Sequence, residues 1–251
     1  MAAIAAATGG GFDPQHRWDR NAFLAFAALA WVGILMGFGG DIIHHVQAHE
    51  PAYPLIVHFH AAVFVAWPVL FTTQVLLIRN KRWEIHRRLG FAAIGLAGLM
   101  AVIGPATAIT ADALQFARTG EAPTFLAIQF TDIIAFAGLV AAGIALRDQP
   151  SAHKRLMLLA TLYVSDAGFA RWQGALVHQL MGEGPASFFT GLYLGDDLLI
   201  LALGAYDLVT RGRLHPAYLA GLAWVALNEL TAVAVFNLPA WKPISLALIG
   251  R

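Results

Sequence analysis

Long apolar runs separated by short, arginine-bearing polar links set the pattern of this chain. Seven runs are long enough for a hydrocarbon core of about 30 Å, which takes about 20 helical residues to cross. They cover residues 22–40, 55–78, 89–109, 125–146, 156–178, 188–209 and 217–238. No ten-residue alternation suggests a membrane barrel, and backbone groups in lipid must bond within their own segment, so the runs are expected to be helices. The expectation is an all-α, polytopic membrane protein with seven transmembrane helices. Residues 1–21 form an N-terminal arm, 22–238 the seven-helix membrane domain and 239–251 a C-terminal tail.

The basic residues set an orientation. Twelve of the sixteen fall in the N-terminal arm and the even-numbered links, from Arg17 and Arg20 through Arg79–Arg88, Arg147–Arg155, Arg211 and Arg213. By the positive-inside rule the N-terminus is cytoplasmic and the C-terminus periplasmic. The first twenty residues have no basic start and no cleavage signature, so the first run reads as a retained helix and not a signal peptide. The first eleven residues are rich in alanine and glycine.

Composition sharpens the class. The chain is 59% hydrophobic and 12% charged, with a formal charge of +1. That leaves no basic field for nucleic acid, and the expected surroundings are a lipid bilayer with other membrane subunits or a redox partner. Cysteine is absent, which excludes disulfides, thiolate metal sites and cysteine nucleophiles. Nucleotide loops, serine elbows and a late paired His-x3-His are missing too.

Packing signals complete the scaffold. Gly33-xxx-Gly37 and Gly191-xxx-Gly195 allow close helix approach. Run three has small residues on every face and is expected to cross at the centre of the bundle. Pro68 and Pro105 are expected to kink or end their helices. The links at His86-Arg87-Arg88-Leu89-Gly90 and His153-Lys154-Arg155-Leu156-Met157 echo each other, as a two-helix unit used twice would.

Ionisable residues inside the runs are the candidate chemistry. Asp132, Asp166, Arg171, Asp196, Asp197 and Glu229 each cost about 2.5–3.5 kcal/mol at the bilayer centre unless paired, protonated or hydrated. Rise per residue puts Asp132, Arg171, Asp196 and Glu229 about 10–12 Å below the outer surface, with Asp166 about one and a half turns deeper. Six of the ten histidines, namely His44, His45, His49, His58, His60 and His178, lie toward that outer side. A polar pocket opening outward is expected, holding Asp132, Asp166, Arg171, Asp196 and Glu229, with Arg171 neutralising Asp166, Asp196 or Asp132.

At His58-Phe59-His60 with Trp67 and Gln74, and at the His86 and His153 motifs, the chain resembles an uncharacterised family of proteobacterial multi-helix inner-membrane proteins. Tyr206-Asp207 and Arg211-Gly212-Arg213-Leu214-His215-Pro216 resemble that family's link between the sixth and seventh spans. The resemblance covers most of the chain from about residue 55 and implies a seven-helix fold in the bacterial inner membrane. It carries no activity.

Three readings fit the same residues. Histidine pairs on neighbouring helices can ligate haem b: His60 with His178 on the outer side, His86 with His153 on the inner, loosely similar to two-haem membrane cytochromes b. Alternatively Asp41, His45 and His49, at i, i+4 and i+8 on an extended first helix, with His58 or His60 completing the set, suit copper, zinc or iron. The set Asp41, His45 and His58 is spaced like a copper site of membrane copper monooxygenases. The third reading is a non-catalytic subunit or assembly factor whose buried charges stabilise the bundle or a partner interface.

Overall fold

The structure, a computed structural model, describes residues 12–13, 15–49 and 51–251; the alanine- and glycine-rich residues 1–11 lie outside them. Among the described residues there are nine helices and no strand. They are α1 (Asp19–Gln47), α2 (Leu55–Arg79), α3 (Trp83–Thr119), α4 (Leu126–Ala145), α5 (Pro150–Tyr163), α6 (Asp166–Met181), α7 (Pro185–Arg211), α8 (Pro216–Phe236) and α9 (Trp241–Leu248). Six of them, α1 to α4, α7 and α8, are long and apolar enough to cross a membrane. Leu35, Leu55, Phe91, Val102, Leu180, Val209 and Leu230 are all well exposed on these helices and their neighbours. Apolar side chains in that number on the outside fit a lipid-facing surface and would aggregate in water.

The expected fifth run is divided. Residues 156–178 fall on two shorter helices, α5 and α6, separated at Val164 and Ser165. The cause is local. Serine and aspartate side chains compete for backbone groups that a helix needs. Here the Ser165 N–H and hydroxyl both donate to Leu162 O, and the Asp166 carboxylate accepts the Ala167 N–H. The i→i−4 ladder lapses there and restarts at Asp166.

Run three also differs from expectation. Its helix α3 extends over 37 residues, about 55 Å at 1.5 Å per residue, and Pro105 lies inside it without ending it. It is the most exposed of the six long helices. Its Gly95 and Gly98 face open space. The tail holds a helix, α9, whose Trp241 indole donates to Thr124 O at 2.8 Å.

The chain folds as two compact units. One comprises the described residues up to Ile42 with Gly138–Trp224; the other comprises Ile43–Ala137 with Val225–Arg251.

The first unit is built on close helix approach. Gly168 of α6 lies against the backbone of α1 at Gly33 and Ile34, and Gly37 lies against Gly168. The Phe169 ring fills the space above Gly33 of α1 and Gly195 of α7. Tyr218 of α8 lies over Gly204 of α7 and donates its hydroxyl to Ile200 O at 3.1 Å. Leu158, Leu159, Leu162, Ile200 and Leu203 are fully buried around these contacts. Both glycine pairs read from the sequence therefore serve as docking notches, the expected use of small residues where no hydrophobic force drives helices together.

The second unit packs α2 against α3, with the Gln74 amide donating to His86 O at 3.2 Å. Trp67 meets Phe136 edge-on with ring centroids 4.8 Å apart, and Phe64 and Ile133 lie against Gly104.

Candidate functional site

Two polar regions stand out, both in the first unit.

The first is the break between α5 and α6. Asp166 opens α6 and is 8% exposed, while Asp196 on α7 is 0% exposed. The register of the hairpin places them at similar heights. Gln173 Nε2 donates to Gly191 O at 3.2 Å, Gly174 faces Gly191, and Phe169 lies on Gly195. Moving toward the start of α6 therefore means moving along α7 toward its end. Asp166 then comes level with the residues just after Gly195, so the two carboxylates lie within about one helical turn in height. A carboxylate at the start of a helix meets the positive end of its dipole. From Asp196, a stripe of Ile200, Leu203 and Asp207 continues down α7, every member fully buried.

That stripe leads to the second region, at the basic-rich end of the unit. Arg155 of α5 holds Asp207 through two parallel hydrogen bonds, Nε to Oδ2 at 2.6 Å and Nη2 to Oδ1 at 2.5 Å. Its third nitrogen donates to Ser151 O at 2.8 Å. Asp19, at the start of α1, accepts from Lys154 at 2.7 Å, from Tyr206 at 2.6 Å and from Arg211 at 2.8 Å. Arg211 also donates to Asp13 O at 3.1 Å. The Phe12 ring lies within cation–π range of three guanidiniums, at 4.6 Å from Arg155, 5.1 Å from Arg211 and 5.8 Å from Arg213. His215, in the α7–α8 link, meets the same ring edge-on at 4.6 Å. Burial, with the Arg155 charge next in weight, pushes its imidazole down to about 4. Its Nδ1 accepts the Ala217 N–H at 3.0 Å, which requires the neutral ring.

This second region was not expected from the sequence as a site. Its basic residues, Tyr206, Asp207 and His215 figure there only as topology signals and family-like motifs, and Phe12, Asp13 and Asp19 not at all. The structure brings the His153–Met157 motif and the Tyr206-Asp207 and Arg211–Pro216 motifs into one network with the N-terminal segment.

The expected residues fall as follows. Arg171 is 41% exposed and faces Asp41, 52% exposed, at 3.6 Å, with its Nη1 on Ala167 O and its guanidinium over Phe38. Within the first unit its ion-pair partner is thus Asp41, and not Asp166 or Asp196 as expected. In the second unit Asp132 and Glu229 are half-buried. The metal face of Asp41, His45 and His49 was expected if the first run continued as a helix by two turns. α1 does continue past residue 40, to Gln47, and carries Asp41 and His45, while His49 lies beyond its end with φ 53°. His45 stacks on Tyr53 and His60 on Phe64, and His86 is half-buried in α3. His58 Nδ1 lies 3.2 Å from Pro54 O, His153 Nδ1 lies 2.8 Å from Gly143 O, and His178 Nδ1 lies 3.0 Å from Ser187 Oγ.

No family model, no curated protein and no solved structure matches the chain.

Proposed function

We propose that this protein is a multi-pass membrane protein that binds a cation, either a proton or a metal ion, at carboxylates inside its helical bundle. The observation that carries the reading is the interrupted segment α5–α6 with buried Asp166 at the restart and buried Asp196 alongside. Together α5 and α6 act as one crossing. The start of α5 lies with the end of α7 at the Arg155–Asp207 pair, and the end of α6 lies with the start of α7 at His178 and Ser187. Counted this way the chain crosses seven times, with the N-terminal side rich in basic residues, as a bacterial inner-membrane protein oriented by those residues would be. Irregular backbone at membrane depth is tolerated where protein buries it or a polar cavity meets it. Broken helices of this kind hold ions and substrates in transporters, and an intramembrane carboxylate marks an ion or proton path.

Carbodiimide labelling tests the proposal, because the reagent modifies protonated carboxyls in apolar surroundings. The expected result is labelling of Asp166 or Asp196 in membranes, lost in Asp166→Asn or Asp196→Asn and slowed by the bound cation. Unlabelled aspartates across pH 5–9 would overturn it.

A redox role with haem b, copper, zinc or iron is the second reading, and one observation favours it. Carbonyls accept only, so His153 and His58 carry their proton on Nδ1. The Ser187 hydroxyl donates to Gly184 O, so His178 does the same. His58 and His178 thus each donate from Nδ1 to a protein acceptor, the kind of hydrogen bond that orients metal-ligating histidines. Purified protein with a Soret band, or with a stoichiometric metal by elemental analysis, would support this reading; a colourless, metal-free preparation from replete cells would end it.

A further inference from the structure

The network at the basic-rich end is lopsided in origin. Lys154, Arg155, Arg211 and Arg213 come from α5, from α7 and from the link after α7, and α7 supplies the Asp207 carboxylate, which Arg155 holds at both oxygens. The remaining balance arrives from the N-terminal segment: the Asp19 carboxylate, the Asp13 carbonyl and the Phe12 ring. Both Asp19 oxygens are engaged, Oδ1 by Tyr206 and Arg211, Oδ2 by Lys154, Arg211 and the His16 N–H. An ammonium, a guanidinium and a phenol converging on one small oxyanion is the donor set that recognises phosphate oxygens. Close by, the hydroxyl of buried Ser151, one turn before Arg155, makes no hydrogen bond among the described residues. Basic pockets between transmembrane helices on the basic-rich side take up phosphate-bearing headgroups.

We infer that Lys154, Arg155, Arg211 and Arg213 form a phosphate-binding site that the protein's own N-terminal segment occupies, with Asp19 standing where the phosphate would sit and Phe12 covering the guanidiniums. A phosphate-bearing anion competes with the segment for the site. With the segment displaced, Lys154 and Arg211 lose the Asp19 carboxylate, and an anion restores what Asp19 supplied. The segment is then a removable stopper, and the occupancy of the site reports the supply of the anion.

Calorimetric titration of the full-length protein in phosphatidylcholine nanodiscs tests this. The probes are pyrophosphate and dihexanoyl phosphatidylglycerol, with dihexanoyl phosphatidylcholine as the uncharged control. Asp19→Asn removes the competing charge, and Phe12→Ala opens the cover while leaving every charge in place, so one of them remains informative if the other fails to fold. Both are expected to bind at least one anionic probe about tenfold more tightly than the wild type, the effect of one charge-assisted contact. Adding Arg211→Gln should abolish the gain. Tightening toward phosphatidylglycerol alone identifies a lipid headgroup as the source, and tightening toward pyrophosphate alone identifies a free phosphate. Equal affinities in wild type and in every folded variant, or no binding of either anion, would overturn the inference and leave the segment as a fixed clamp.

Discussion

Arg155 and Asp207 meet through two parallel hydrogen bonds with neither side chain exposed at all. They join the start of α5 to the end of α7, and Arg211 approaches the same carboxylate at 3.8 Å. Breaking such a pair from one side strands the other charge, at a cost of about 3–5 kcal/mol. Arg155→Met and Asp207→Leu should each lower the thermal midpoint of the detergent-solubilised protein sharply. The double variant should recover much of the loss, since no lone charge then remains. A double variant as unstable as the worse single one would show that other groups in the network depend on the pair.

Glycine substitutions should split by position. Gly168→Ala sets a methyl group against the α1 backbone, 2.8 Å from Gly33 O and from Ile34 Cα. Backbone cannot rotate away as a side chain can, so a loss of about 1–3 kcal/mol is expected. Gly95→Ala meets nothing within 4 Å and gains helix propensity worth about 0.5–1 kcal/mol. Melting curves of the two variants should move in opposite directions.

Stability should fall with acid through His215. Its folded-state value of about 4 lies below the ordinary 6.5. Between those values the unfolded chain takes up a proton that the folded one refuses, so the imidazole's contribution is intact above pH 6.5 and is lost progressively as pH drops toward 4. His215→Asn should flatten that part of the profile. The wild-type-minus-variant difference in thermal midpoint, followed from pH 7 to pH 4, isolates the contribution of the histidine.

Arg171→Leu should shift stability by less than about 1 kcal/mol, the range for an exposed ion pair. The pair with Asp41 is open to the surroundings on both sides and 3.6 Å long. A loss of several kcal/mol in the same melting assay would mean that the guanidinium works against the buried aspartates after all.

The long helices are legible because lipid imposes one rule on whole segments: about 20 apolar residues, whatever the neighbours. Six of the seven apolar runs correspond to long helices for that reason. The interruption at Ser165 and Asp166 escapes a hydropathy window, which averages over a feature two residues wide. Asp166 and Asp196 were marked by the mere presence of charge in an apolar run, and both prove buried. Arg171 carried the same mark, yet which of several acids a flexible guanidinium chooses depends on packing that spacing does not encode. Asp207 illustrates the opposite failure. Near a polar link it reads as ordinary, and its role depends on Arg155, 52 residues away in the chain. Such a pairing becomes visible only when α5 and α7 are set side by side.

The seating of Phe169 constrains how the first unit can move. One rigid ring is keyed into two slots, cut by Gly33 and Gly195 on separate helices. Twisting α6 about its own axis would drive the ring into a main chain on either flank, and sliding it would lift the ring out of both slots together. Any movement of α6 that keeps the ring seated in both slots must therefore carry α1 and α7 with it.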